Sequence, residues 1–93
     1  MDSPQSMTLD DLRGEIDTID EDLVGLLSRR ATMAQEVGRM KANGRIEANG
    51  LRSPERELAI MERLRKLNHG PLPDSSIELI YREIFRACLE VQR

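Results

Sequence analysis

Ninety-three residues suffice for one small domain with a modest core, and a net charge of −3 gives no bulk attraction to nucleic acid or an anionic membrane. One cysteine and one histidine exclude an internal disulfide and a Cys/His metal cluster. One tyrosine, one phenylalanine and no tryptophan leave few of the residues that strands favour, which points to an all-α chain built on Leu, Ile and Met.

Neither a signal-peptide pattern nor an apolar run of membrane-spanning length occurs, so a soluble cytoplasmic protein is expected. Residues 1–7 are polar, contain a proline and are expected to form a frayed tail ahead of a single domain over residues 8–93.

The organising stretch runs from about residue 8 to residue 43, free of proline. Leu9, Leu12, Ile16, Ile19, Leu23, Leu26, Arg30, Met33, Val37 and Met40 follow one another at steps of three and four, a heptad-like stripe that predicts one long helix. Thr8 or Ser6 can cap it, and Asp10 and Asp11 sit where the helix dipole favours acids. Gly14, Gly25 and Gly38 lie off the seam and each costs up to about 1 kcal/mol relative to alanine, so packing must hold the helix together. At about 1.5 Å per residue it spans roughly 50 Å, longer than a compact chain of this size is wide. Two short helices cannot cover such a stripe, so a homodimer is expected.

Residues 43–52, with two Asn-Gly pairs and no periodicity, read as a loop. Ser53-Pro54 opens a second helix with a cap and an N-terminal proline; its predicted apolar face is Leu58, Met61, Leu64 and Leu67. Asn68-His69-Gly70-Pro71 ends it, and His69 reads as a turn residue. A third helix starts at Pro73-Asp74-Ser75, where Ser75 and Glu78 have capping-box spacing. Ile77, Ile80, Tyr81, Ile84, Cys88 and Val91 form its stripe, and Gln92 extends the Tyr81, Ile84 and Phe85 side with an amide.

Arg30 breaks the long seam. It is either a snorkelling or carboxylate-paired arginine, or part of a prepared anion site, since a guanidinium offers a planar fork for carboxylate or phosphate. Lys41, eleven residues on, lies within about 20° of Arg30 around the helix, so the two can face one ligand. Arg13 lies about 25 Å along the axis from Arg30 and about 100° around. It is a surface charge, or it joins Arg30 only across an antiparallel dimer. Arg56 occupies a helix start where the dipole prefers an acid, whereas Glu57 suits that position. Cys88 reads as a small core residue or a pocket wall.

The runs LRGEIDTID, LLSRR, VGRMK and PERE, with the last helix YREIFRACLEVQ, resemble the all-helical chorismate mutases. NHGPLPDSSIELIYREIFRACLE is especially similar to the mutase domain at the N-terminus of bifunctional chorismate mutase–prephenate dehydratases. The resemblance covers residues 9–92. It implies three helices in an intertwined antiparallel homodimer, no cofactor or metal, and the pericyclic rearrangement of chorismate to prephenate on the way to phenylalanine and tyrosine.

By the same resemblance, Arg13 comes from the partner chain to bind a carboxylate, and Arg30 does so from the home subunit. Lys41 contacts a carboxylate and the ether oxygen, Arg56 belongs to an Arg-Glu pair, Glu57 accepts from the ring hydroxyl, and Gln92 donates to the ether oxygen. Arg30, Lys41 and Gln92 are thus the expected catalytic residues. Ser53 and Cys88 complete the substrate-binding set, at positions where some monofunctional members carry Asp and Ser. That departure leaves hydroxyl recognition to Glu57 and makes Cys88 a poorer donor. The loop before Ser53 is longer than in those members. Two other readings remain: an isochorismate–pyruvate lyase on the same fold, and a non-catalytic helical dimerisation or regulatory module.

Overall fold

A computed structural model describes residues 6–44 and 53–92. Most of the predicted tail, and the loop apart from its first two residues, therefore lie outside the described residues. Three helices make up the described chain, α1 (Leu9–Ala42), α2 (Pro54–Leu67) and α3 (Asp74–Gln92), with no strand among the described residues.

The 34-residue α1 starts where its chemistry says it should. Thr8 Oγ1 accepts from the Asp11 amide at 3.1 Å, and the Asp11 carboxylate accepts from the Thr8 amide at 3.1 Å, a reciprocal capping box. Asn43 closes the other end, its amide donating to the Arg39 carbonyl at 2.9 Å. Ser53 caps α2 through the Arg56 amide, with Pro54 at the first helical position.

Asn68 shapes the α2–α3 turn. Its side-chain amide donates to the Leu72 carbonyl at 2.9 Å and to Asp74 at 2.8 Å, while its Oδ1 accepts from the Gly70 amide at 3.2 Å. Gly70 has a φ of +77°, which favours glycine there.

The capping box expected between Ser75 and Glu78 does not form. α3 begins at Asp74, two residues ahead of the start that a Ser75 cap would set, and the Pro73 carbonyl accepts from the amides of Ser76 and Ile77 at 3.0 and 3.3 Å. Glu78 instead receives the Arg65 guanidinium at 2.8 Å, clipping α3 to α2. This contact holds the Arg65 guanidinium protonated more strongly than usual, first through the hydrogen bond and then through the charge of Glu78.

α3 packs on α1 and on α2. The buried apolar side chains are Ile60, Phe85 and Cys88. The expected α2 face is corrected accordingly: Leu58 and Leu67 are exposed, and the inward row is Glu57, Ile60, Met61 and Leu64. Spacings of three and four serve both rows, but only the second faces α3. Gly38, off the seam by sequence, is the buried residue of α1.

Most of the α1 seam has no cover among the described residues. Ile16, Ile19 and Leu23 are each half exposed or more. The radius of gyration is 17.2 Å, with a long axis of 56 Å, against about 12 Å for a compact chain of this length.

Candidate active site

A cavity of about 330 Å³ lies where the three helices meet. Each helix offers it one face at the same spacing. α1 gives Arg30, Met33, Ala34, Val37 and Lys41; α2, with its cap, gives Ser53, Arg56, Glu57 and Ile60; α3 gives Phe85, Cys88, Leu89 and Gln92. Residues at i, i+3, i+4 and i+7 stack on one side of a helix, so three such rows close a chamber without any strand or long loop.

Every site residue expected from sequence except Arg13 lines this cavity. Arg13 is exposed on α1, about 25 Å along the axis from Arg30. Within one chain it stands apart from the other seven. Sequence reasoning missed the apolar walls Met33, Val37, Ile60, Phe85 and Leu89. Met33 and Val37 were visible as seam residues, and Ile60 lies three residues after Glu57, the helical signal that could have found it.

Arg30 is half-buried and fixed by α3. Its Nη1 donates to Cys88 Sγ at 3.1 Å, and its guanidinium carbon stands 5.6 Å from the centroid of the Phe85 ring. That ring is braced in turn by Tyr81, edge to face at 5.9 Å. Among the described residues, the arginine that breaks the seam is thus not held by a buried carboxylate. A soft thiol and a ring face orient it while leaving its positive charge unneutralised by them.

Lys41 is half-buried about three helical turns further along α1, and Arg56 is exposed at the start of α2. Three cations therefore converge from two helices, with Glu57 as the acidic wall residue. Gln92 closes the end. Its Oε1 is buried with no hydrogen-bond partner among the described residues, and leaving such an atom unpaired costs about 1–3 kcal/mol. That oxygen accepts, so it suits a donating group on a ligand, whereas the convergent cations beside it suit carboxylates. No group of three or more His, Cys, Asp or Glu side chains among the described residues could hold a metal ion. The donor set is cationic, suited to carboxylates.

Known proteins resemble this chain over most of its length. The family model described as chorismate mutase type II matches residues 12–93. The bifunctional chorismate mutase/prephenate dehydratase of Neisseria gonorrhoeae is 41% identical over 92 residues, covering 95% of this chain and 24% of that protein. Its namesake from Aquifex aeolicus is 38% identical over 89 residues, covering 91% of this chain and 24% of that protein. This chain thus spans about a quarter of the length of the curated relatives it matches. The solved structure of chorismate mutase (form II) from Thermus thermophilus superposes with a TM-score of 0.80 at 33% identity, covering 87% of this chain and 89% of that one. On the extent of the family match and the shared three-helix fold, the chain belongs to the chorismate mutase type II family.

Proposed function

We propose that this chain catalyses the rearrangement of chorismate to prephenate. The observation that carries the reading is the single chamber uniting Arg30, Lys41 and Arg56 with Glu57 and Gln92, on apolar walls. Chorismate is a dicarboxylate with a ring hydroxyl and an ether bridge, and each feature has a counterpart there. Arg30, Lys41 and Arg56 take the carboxylates; Glu57, with Ser53 beside it, takes the hydroxyl. Lys41 and the Gln92 amide donate to the ether oxygen, where negative charge develops as the bond breaks.

The reaction is unimolecular, so it requires no nucleophile. Its barrier falls when the enolpyruvyl side chain is held over the ring in the diaxial conformer, and when donors already point at the developing charge. Apolar walls of Val37, Ile60, Phe85 and Leu89 exclude water and strengthen those donors.

The finer assembly belongs to the same proposal. Two chains pair antiparallel along α1, covering Ile16, Ile19 and Leu23, and the partner subunit's Arg13 enters the chamber beside Arg30. An apolar groove of about 810 Å³, walled by Leu23, Leu27, Ala31, Ile80, Ile84 and Val91, offers further surface for that pairing. A cytoplasmic location and a place in phenylalanine and tyrosine biosynthesis go with this reading. Among the described residues no helix is long and apolar enough to cross a membrane.

The test is direct. Purified chain should consume chorismate, read by loss of its ultraviolet absorbance, and release prephenate. Turnover of isochorismate to pyruvate and salicylate in its place would make the protein a lyase. No turnover of either, with dimers intact, would leave a non-catalytic module.

A further inference from the structure

α1 and α3 meet tightly at Gly38 and Gln92. A Cβ built on Gly38 would stand 3.2 Å from the Gln92 Cβ, 3.2 Å from its carbonyl oxygen and 3.3 Å from its Cα. Those are backbone and near-backbone atoms, so no side-chain rotation relieves the contact, and the end of α3 itself has to move. The two other glycines of α1 differ: a Cβ on Gly14 or Gly25 meets nothing within 4 Å.

Gly38 also sits on the face that builds the chamber, four residues after Ala34 and three before Lys41. Gln92 is the last described residue of α3. The height of α3 above α1 at this point therefore fixes where the carboxamide lies relative to Lys41.

We propose that Gly38 is a positioning residue for Gln92. The missing side chain at 38 sets the approach of the α3 terminus and so aims the carboxamide into the chamber. The inference rests on the chamber being the mutase site and on Gln92 acting there. A methyl group at 38 lifts the end of α3 by a few tenths of an ångström and withdraws the amide from the reacting atoms. It leaves the carboxylate-binding cations of α1 and α2 in place.

The experiment uses Gly38→Ala, Gly25→Ala, Gln92→Ala and the Gly38→Ala/Gln92→Ala pair in the full chain. Because misplacing a donor by about 1 Å costs roughly a hundredfold, Gly38→Ala is expected to lower kcat about tenfold with KM within about twofold. Gly25→Ala should match the parent.

Alanine at 92 keeps the Cβ, Cα and carbonyl that collide, but it has no amide left to misplace. Gly38→Ala should therefore have little further effect in the Gln92→Ala background. A lowered melting temperature with unchanged kcat, or an equal loss of rate in both backgrounds, would overturn the proposal. Backbone amide shifts supply a readout independent of turnover: those of Leu89 and Gln92 should move in Gly38→Ala and stay in Gly25→Ala. Unmoved shifts would remove the contact itself, whereas moved shifts in a chain that consumes no chorismate would overturn the mutase reading alone.

Discussion

Arg30 Nη1 donates to Cys88 Sγ at 3.1 Å, across 58 residues of sequence. The contact ties the charge that interrupts the α1 seam to the C-terminal part of α3, and Cys88 also lines the apolar groove. Cys88 is thus a thin partition between the chamber and the groove proposed to meet a second chain.

That partition sets the first prediction. Cys88→Ser keeps an acceptor for Arg30 and should hold KM for chorismate within about twofold, whereas Cys88→Ala removes the acceptor and should raise KM about fivefold, the worth of one hydrogen bond of about 1 kcal/mol. Steady-state kinetics on the two variants check it. Equal KM values for both would mean that the Phe85 ring alone orients Arg30.

Lys41 and Gln92 have a different signature. If both act on charge that exists only in the transition state, Lys41→Ala and Gln92→Ala should each cost about 2–4 kcal/mol, expressed mainly in kcat. Single-turnover and steady-state rates separate this from simple binding. A raised KM with normal kcat would reduce either residue to a uniform binder.

No histidine lines the chamber, and histidine is the side chain that ordinarily titrates near neutrality. The pH profile should therefore be flat between about pH 6 and 7.5. Gln92→Glu changes this in a defined direction. Only the protonated acid can donate to the ether oxygen, so the variant should gain rate as pH falls towards the glutamate range. A profile parallel to the parent's would take Gln92 off the ether oxygen.

The shared site has its own test. Arg13→Ala and Lys41→Ala should each give nearly inactive homodimers, but in a mixed dimer one chamber collects both lesions and the other neither. Random pairing after joint unfolding and refolding makes about half the dimers mixed, so roughly a quarter of the parent activity should return. Activity no higher than that of the two variants alone would confine Arg13 to the surface.

Much of this was legible in the sequence because local chemistry sets it. Thr8 and Ser53 start their helices with their own hydroxyls, and Asn43 stops α1. Arg30 stood out because a charge in an apolar seam needs a reason. What the sequence left open depends on which face meets which. Leu58 and Leu67 satisfy the α2 period as well as Ile60 does, yet only the approach of α3 buries Ile60. Ser75 and Glu78 have the spacing of a cap, but Arg65 on the neighbouring helix claims Glu78. Gly38 reads as an off-seam cost to helix stability until Gln92 is seen resting on it.

The cap of α2 has one more consequence. Ser53 Oγ accepts from the Arg56 amide at 3.3 Å, and both residues are walls of the chamber. The hydrogen bond that starts this helix therefore belongs to the same surface that a carboxylate would occupy. A bound dianion drawn toward Arg56 would also meet the positive end of the α2 dipole, so occupancy and helix initiation reinforce each other. In hydrogen exchange, the first-turn amides of α2 should be among the faster to exchange in the empty protein and should slow when the chamber fills, while those of the Asn68 turn keep their rates.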